Sequence, residues 1–258
     1  MIKAIFFDID GTLVSFNTHK IPQSTIDAVS DVRRRGIKVF IATGRPLPFI
    51  NNLGTLEYDG IMSVNGASIL LNDGTSICHT PVDKADVERM VAYQEQNPIA
   101  VAYATDTEAF VTNYNDNFHE VFELLDLSTP RVLDTKEALT KDIMQVIAFF
   151  NSEQEPYIMQ NVLKNCDAQR WHPLFADCVR KGTSKATGID AVCQHFGFDI
   201  SETMAFGDGG NDKPMLLHAG IGIAMGNASD EVKSCAKMVT DSVDNDGISK
   251  ILHQIDKF

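Results

Sequence analysis

The hydrophobic positions of the first 81 residues alternate between strand and helix patterns. Residues 2–9 are rich in Ile and Phe and apolar on both faces, which predicts a strand buried in a parallel sheet. Over 24–36, apolar residues recur at helical spacing and a glycine follows a basic last turn, so we predict a helix. The other elements predicted here are a buried strand at 37–42, a short helix at 46–53 and a strand at 61–71 that turns near Asn65-Gly66. The strand–helix–strand order favours a parallel sheet with a right-handed crossover.

The pattern changes in the middle of the chain, at about 82–183. The elements predicted there are a helix at 84–96, a hairpin around Asp106-Thr107, a helix near 115–126, a strand at 143–150, a helix at 153–165 and two short strands around 168–180. This α+β order, with its own apolar positions, predicts a separate small sheet covered by helices.

From about residue 184 the strand and helix alternation of the beginning returns. Its predicted elements are helices at 185–197, 212–220 and 229–236 and strands at 203–208 and 221–226. We therefore predict an α/β fold in which a core domain, made of 1–81 and 184–258, is interrupted by an inserted α+β domain at 82–183. The core is expected to be a parallel sheet with helices on both faces.

Composition and charge narrow the class of protein. Of the 258 residues 44% are hydrophobic, which supports a packed core and argues against disorder. The formal charge of −13 leaves no basic stripe for a nucleic-acid partner. No apolar run approaches the roughly 18 residues of a membrane span. Five cysteines without a C-x-x-C pair favour reduced thiols and a cytoplasmic location.

Two carboxylates, Asp8 and Asp10, follow the first strand. Alternate side chains of a strand share a face, so both are expected to point to the edge of the sheet where parallel strands end and sites form. Two adjacent carboxylates repel each other, and a divalent cation that prefers oxygen ligands, such as Mg²⁺, relieves that repulsion. Gly11 permits a tight exit and Thr12 supplies a hydroxyl or an amide. The alternative is a strand end with two solvated aspartates.

Two further strand ends carry candidate chemistry. Thr43 and Gly44 follow the second strand, where a hydroxyl can bind a phosphoryl oxygen and a glycine allows close approach; an ordinary cap is the alternative. GDGGND at 207–212 places Asp208 and Asp212 after another strand. The segment fails the EF-hand pattern and lacks the spacing of a dinucleotide fingerprint. A metal site and a plain Gly-Asp turn remain the alternatives.

A cation is expected beside so many carboxylates and a phosphate. Lys181 lies just before the helix predicted at 185–197 and Lys185 opens that helix, so Lys185 is the better placed of the two. The alternative for either lysine is a solvated surface position.

Four segments together resemble the haloacid dehalogenase superfamily of phosphotransferases: DIDGT at 8–12, TGR at 43–45, KGTSKATGI at 181–189 and GDGGND at 207–212. The resemblance is closest to the bacterial Cof-type sugar phosphatases, in which an α/β cap is inserted after the Thr motif. It extends over essentially the whole chain, although 82–183 matches in pattern more than in motif. It implies a Rossmann-like core with a cap domain.

The resemblance also implies roles for the acidic residues. Asp8 resembles the nucleophile that becomes an aspartyl phosphate, and Asp10 the general acid and base. Mg²⁺ is implied as the cofactor, bound by Asp8, by the backbone carbonyl of Asp10 and by Asp208, with Asp212 supporting this shell.

Other residues are implied to bind the substrate. The residues implied to hold the phosphoryl group or the substrate are Thr43, Gly44, Arg45, Asn211 and Lys185. Asn211 is implied either to contact phosphate or to orient Lys185. Arg45, with Asn65 and Gly66, matches residues that line the pocket mouth in related phosphatases; a plain turn is the alternative for Asn65-Gly66.

We therefore expect a Mg²⁺-dependent phosphatase of a small phosphomonoester, with a sugar phosphate such as a hexose phosphate as substrate. The Asp at position 10 argues against the ion pumps of the superfamily, which carry Thr there and need membrane helices. A phosphomutase of the same superfamily and a non-catalytic sugar-phosphate sensor are the alternatives. A small molecule is the expected partner, without nucleic acid or membrane, and a monomer is the default state.

Overall fold

The structure is a computed structural model that describes residues 1–124 and 129–258. These residues form two compact units. The core unit contains Met1–Gly44, Ile50–His79 and Ser184–Phe258, and the inserted unit contains Arg45–Phe49 and Thr80–Thr183. Among the described residues, no helix combines the length and the apolar character needed to cross a membrane.

The core unit is built on an eight-stranded sheet. With strands numbered along the chain, its members are β1 (Ala4–Phe7), β2 (Lys38–Ala42), β3 (Gly60–Ser63), β4 (Ser68–Leu71), β5 (Ser76–His79), β12 (Thr203–Gly207), β13 (Ile221–Ala224) and β14 (Met238–Val239). Their spatial order is β14-β13-β12-β1-β2-β3-β4-β5. All neighbours from β14 to β3 are parallel, and β4 and β5 add an antiparallel edge. β1 therefore lies at the centre, where an uninterrupted apolar run is expected.

Helices cover both faces of this sheet. They are α1 (Gln23–Arg34), α5 (Lys185–Phe196), α6 (Lys213–His218), α7 (Asp230–Lys233) and α8 (Gly247–Leu252). Alternation along β1 divides its side chains between the faces: Ile5 and Phe7 join the apolar cluster with α1 and α8, and Phe6 joins the cluster with α5 and α6. The central strand is thus buried on both sides, which explains its lack of polar positions.

The inserted unit has its own six-stranded sheet, in the order β10-β11-β9-β6-β7-β8. Its strands are β6 (Val101–Ala104), β7 (Ala109–Thr112), β8 (Arg131–Val132), β9 (Gln145–Ala148), β10 (Cys166–His172) and β11 (Phe175–Arg180), and its helices are α2 (Lys84–Gln96), α3 (Asp116–Leu124) and α4 (Glu155–Asn161). One apolar cluster packs α2 and α4 on this sheet, and a second, rich in phenylalanine, packs α3 on it.

The predicted fold class, an α/β core with helices on both faces and an inserted α+β part, is confirmed. The helix predicted at 84–96 has those bounds, and both predicted hairpin turns join antiparallel strands. The helix predicted at 46–53 is wrong in extent, because only Leu47–Phe49 form a 3-10 turn. The end of the helix predicted near 115–126 lies outside the described residues. The domain bounds 1–81, 82–183 and 184–258 stay a prediction.

Candidate active site

Three of the predicted site segments meet because their strands are neighbours. Asp8 follows β1, and the two strands that pair with β1 are β2, which Thr43 follows, and β12, which Asp208 follows. The pairings are parallel, so all three residues leave the sheet at the same edge. The Asp8 N–H donates to the carbonyl of Phe206 at 3.0 Å, which extends the β1–β12 pairing up to the site.

A glycine makes the close approach of two of these segments possible. Gly11 has a φ of +84°, and a Cβ atom on it would lie 2.2 Å from Oδ2 of Asp208. An L-residue would therefore suffer both backbone strain and a clash with a carboxylate. The tight turn after Asp8 and Asp10 depends on this position.

Lys185 joins two carboxylates in the interior of the core unit. Its Nζ donates to Oδ1 of Asp8 and to Oδ1 of Asp212, each at 2.6 Å, and the side chain is fully buried. Burial alone would lower the pKa of Lys185, but the carboxylates of Asp212 and Asp8 raise that pKa above its usual value. The two carboxylates therefore favour the charged form of Lys185. Ser184 caps α5 by accepting from the N–H of Thr187, which sets Lys185 at the first position of the helix.

The Asp212 carboxylate is engaged on both oxygens. Its Oδ1 accepts from Lys185, and its Oδ2 accepts from the backbone N–H groups of Asp208 at 2.9 Å and Gly209 at 2.8 Å. The side chain is fully buried. These contacts hold Lys185 and the turn at Asp208 in place, which suits a supporting position.

Asp208 is held by two side chains. Thr12 Oγ1 donates to its Oδ1 at 2.8 Å, and Asn227 Nδ2 donates to its Oδ2 at 3.1 Å. Burial and the neighbouring Asp212 nevertheless raise the pKa of Asp208 to about 7. The pKa of Asp8 is raised well above its usual value, first by burial and then by Asp212, with Lys185 opposing.

The acidic side chains suit a divalent cation. Asp8, Asp208 and Asp212 each offer a carboxylate oxygen within 4.8 Å of the others. Hard oxygen ligands of this kind are those that Mg²⁺ prefers, and a cation would offset the burial and the mutual repulsion that raise the pKa values of Asp8 and Asp208. The Asp10 side chain is outside this trio, although its charge also raises both pKa values.

The remaining predicted residues divide between the two units. Gly44 lies beside Asn211 in the core unit, since a Cβ atom on Gly44 would be 3.3 Å from Asn211 Nδ2. Thr43 is buried, and its N–H donates to the carbonyl of Met62 at 2.9 Å. Arg45 groups instead with the inserted unit, where its Nη1 donates to the carbonyl of Phe49 at 3.0 Å.

The family follows from a comparison with known proteins. The family model described as haloacid dehalogenase-like hydrolase matches residues 5–252. The chain belongs to this family.

Relatives along the whole length agree with the assignment. A Bacillus subtilis (strain 168) protein with the provisional name phosphatase YkrA is 34% identical over 256 residues, which cover 98% of this chain and 97% of YkrA. A solved HAD subclass IIB sugar phosphatase, BT4131, is similar with a TM-score of 0.91 and 39% identity, covering 99% of this chain and 100% of its own. BT1666 from Bacteroides thetaiotaomicron, described among the phosphatases of the superfamily, is similar with a TM-score of 0.91 and 40% identity. The match covers 100% of this chain and 96% of BT1666. The predicted Cof-type membership and the predicted phosphatase class of this hydrolase are confirmed.

Asn227 is the clearest residue of the site that sequence reasoning missed. Its Nδ2 donates to the carbonyl of Gly11 at 2.8 Å as well as to Asp208, so it joins the first and last motifs. Its Oδ1 accepts from the N–H of Val243 at 3.2 Å, which fixes the amide orientation. Asn227 follows β13, the neighbour of β12, so the rule that parallel strand ends form sites would have identified it.

Proposed function

We propose that this protein is a Mg²⁺-dependent phosphatase that hydrolyses a small phosphomonoester, with a sugar phosphate such as a hexose phosphate as the substrate, through an aspartyl-phosphate intermediate. The observation that carries the proposal is the position of Asp8, which is buried between Asp208 from the adjacent strand and the ammonium group of Lys185. A buried carboxylate beside the ammonium group of Lys185, with a divalent cation to offset the burial that raises its pKa, has the position of a nucleophile for phosphorus.

The covalent chemistry is assigned to the two aspartates of the first motif. A carboxylate oxygen of Asp8 attacks phosphorus, and the bond from phosphorus to the leaving alcohol breaks. Asp10 donates a proton to that alcohol, then takes a proton from the water that attacks the phosphorus of the acyl phosphate. The bond between phosphorus and Asp8 breaks in this second step and releases inorganic phosphate.

The cofactor proposal rests on the donor set. Asp8, the backbone carbonyl of Asp10 and Asp208 are the proposed ligands of Mg²⁺, and Asp212 supports them through its contacts with Lys185 and the backbone of Asp208. Bound Mg²⁺ supplies positive charge that lets an anionic carboxylate approach an anionic phosphate.

The groups proposed to bind the phosphoryl oxygens come from the end of β2, from the start of α5 and from the turn after β12. Thr43 supplies a hydroxyl, Gly44 allows the backbone to approach the phosphate closely, and Lys185 supplies positive charge. Asn211 lies beside Gly44 and is suited to a phosphate contact. Arg45 is proposed for the substrate rather than for the reacting atoms.

The inserted segment, 82–183, is proposed to act as the cap that excludes water and selects the leaving group. A small-molecule partner, a cytoplasmic location and a monomeric state complete the proposal. Sugar phosphatase BT4131, which aligns with 99% of this chain, supports the choice of a sugar phosphate.

The direct experiment is a panel of hexose, pentose and nucleotide phosphates with the purified protein, measured as released inorganic phosphate with Mg²⁺ and with EDTA. We expect Mg²⁺-dependent release, fastest with a sugar phosphate. Conversion of a hexose phosphate into its isomer without free phosphate would support the mutase instead. Tight sugar-phosphate binding with neither product would support the sensor.

A further inference from the structure

The turn after β3 contains a side-chain donor that the protein itself leaves unused. Asn65 is fully buried in the core unit. Its Oδ1 accepts from Asn211 Nδ2 at 2.9 Å, but its Nδ2 has no hydrogen-bond partner among the described residues. A buried amide donor without an acceptor is costly and rare, so it calls for an explanation.

The same turn has a strained backbone. Val64, Asn65 and Gly66 all have positive φ, at 52°, 53° and 100°. The left-handed region is unfavourable for a β-branched residue such as Val64. Strain of this kind persists only where the surroundings impose it, and it is concentrated at functional sites.

The neighbours of this turn are two phosphate-binding candidates, Thr43 and Asn211, and Ser184, the residue before a third. The N–H of Asn65 donates to the carbonyl of Thr43 at 2.9 Å, and its side chain is paired with Asn211. On the other side, a Cβ atom on Gly66 would lie 2.6 Å from the carbonyl of Ser184, the residue before Lys185. The turn therefore fits between the second, third and fourth motifs.

The unused donor lies beside the backbone proposed to approach phosphate. A Cβ atom on Gly44 would be 3.1 Å from Asn65 Nδ2 and 3.3 Å from Asn211 Nδ2. Two amide nitrogens thus converge beside Gly44. The chemical class of ligand that satisfies converging hydrogen-bond donors is an oxyanion.

We propose that Asn65 binds the substrate directly, with its Nδ2 donating to a non-bridging oxygen of the phosphoryl group. The Asn65–Asn211 hydrogen bond orients both amides toward that group, and the strained turn keeps the donor in position before substrate arrives. This assignment rests on the proposed phosphatase function, and it replaces a general position near the pocket mouth with a contact to the reacting group.

The test measures binding of inorganic phosphate, with Mg²⁺ present, by calorimetry and by product inhibition. Asn65→Asp keeps the side-chain shape and the acceptor for Asn211, but it replaces the free donor with an anion. We expect phosphate affinity to fall by roughly 10- to 100-fold, the range for a lost hydrogen bond to a charged group. Asn245→Asp adds the same charge at an exposed position and is expected to bind phosphate like the wild type.

Asn65→Gly removes the whole side chain while keeping a residue that tolerates the turn. Glycine adopts the positive φ at this position without strain, and the variant also loses the acceptor for Asn211, so we expect the folded protein to bind phosphate at least roughly tenfold more weakly, with Tm as the check on folding. Wild-type phosphate affinity in a folded Asn65 variant would overturn the proposal. A wild-type protein that neither binds phosphate nor releases it from any ester would instead overturn the proposed function.

Discussion

Lys185 Nζ lies 2.6 Å from Oδ1 of Asp8, although the two residues are 177 positions apart in the sequence. Both side chains are buried, so this ion pair is shielded from water and from salt. Such a pair orients a carboxylate at the cost of desolvation, and it leaves a buried charge behind if either partner is removed.

Replacing this lysine should damage both stability and activity. Lys185→Met keeps the volume but leaves Asp8 and Asp212 without their cation, so we expect the free energy of unfolding in EDTA to fall by about 3–5 kcal/mol. Urea denaturation and phosphate release measure the two effects. Lys181→Met is the matched control, since Lys181 is exposed, and it should change neither. A stable, active Lys185→Met protein would show that the ion pair has no catalytic or structural weight.

Substitutions of Asp8 and Asp10, the two aspartates of the first motif, should impair turnover in different ways. Asp8→Asn should abolish turnover and phosphoenzyme formation, because an amide does not attack phosphorus. Asp10→Asn should slow turnover about 10²- to 10⁴-fold, the usual contribution of a general acid and base. The loss in the first step should be larger for alkyl phosphates than for p-nitrophenyl phosphate, whose leaving group needs no proton. An equal loss with both substrates would argue against Asp10 as the acid.

Mg²⁺ should stabilise the folded protein by an amount set by its concentration relative to its Kd. A ligand at about 100 times its Kd adds about 2.7 kcal/mol to the free energy of unfolding. We therefore expect Mg²⁺ to raise Tm and EDTA to reverse the rise. Asp208→Asn should abolish this shift, whereas Asp244→Asn, at an exposed position, should retain it. A Tm that ignores Mg²⁺ would contradict the proposed cofactor.

Asp59 should make stability depend on pH below its ordinary titration range. Burial opposes ionisation of Asp59, but hydrogen bonds from the N–H of Val39 at 2.9 Å, from Arg33 at 3.2 Å and from Lys38 at 2.9 Å outweigh it and lower its pKa. A lowered native pKa stabilises the fold above the unfolded pKa of about 3.9 and loses that effect as pH falls through the native value.

The corresponding variant is Asp59→Asn. Its deficit in the free energy of unfolding, relative to wild type, should be full at pH 7 and shrink as the pH falls below about 4. Urea denaturation at pH 7, 4 and 3 measures it. A deficit that is equal at all three pH values would mean that the carboxylate charge does not stabilise the fold.

Two buried glutamines of the inserted unit should respond to the same substitution with opposite signs. Within the part of the chain that the structure describes, neither amide atom of Gln145 has a hydrogen-bond partner, so Gln145→Met should stabilise the protein by about 1–2 kcal/mol. Gln94 donates to Thr112 Oγ1 at 2.7 Å and accepts from the Tyr103 hydroxyl at 2.8 Å. Gln94→Met should therefore destabilise by about 1–3 kcal/mol, because it leaves that buried hydroxyl unpaired. Equal changes in the free energy of unfolding would contradict this account.

Local pattern was sufficient for most elements and for the identity of the strand-end residues. The strand at β1 was predictable because a central parallel strand is apolar on both faces, and α5 because its cap, its spacing and its terminal Gly197 agree. β5 and β14 were missed because they are short edge strands with exposed positions, which lack the continuous apolar run of a central strand. In place of the helix predicted at 46–53 the structure has a 3-10 turn at Leu47–Phe49, because a helix this short is not stable from its local sequence alone.

The sequence alone determined that Asp8, Thr43 and Asp208 follow apolar strands, because a buried parallel strand has a continuous run of apolar residues. Only the tertiary structure decided that their strands are adjacent, in the order β12-β1-β2, since strand order depends on contacts distant along the chain. Three side-chain features were also decided only by the tertiary structure. They are the contact of Lys185 with Asp8 and Asp212, the hydrogen bonds of Asn227 to Gly11 and Asp208, and the unused donor of Asn65. Each depends on burial and on distances between side chains, which no local spacing specifies.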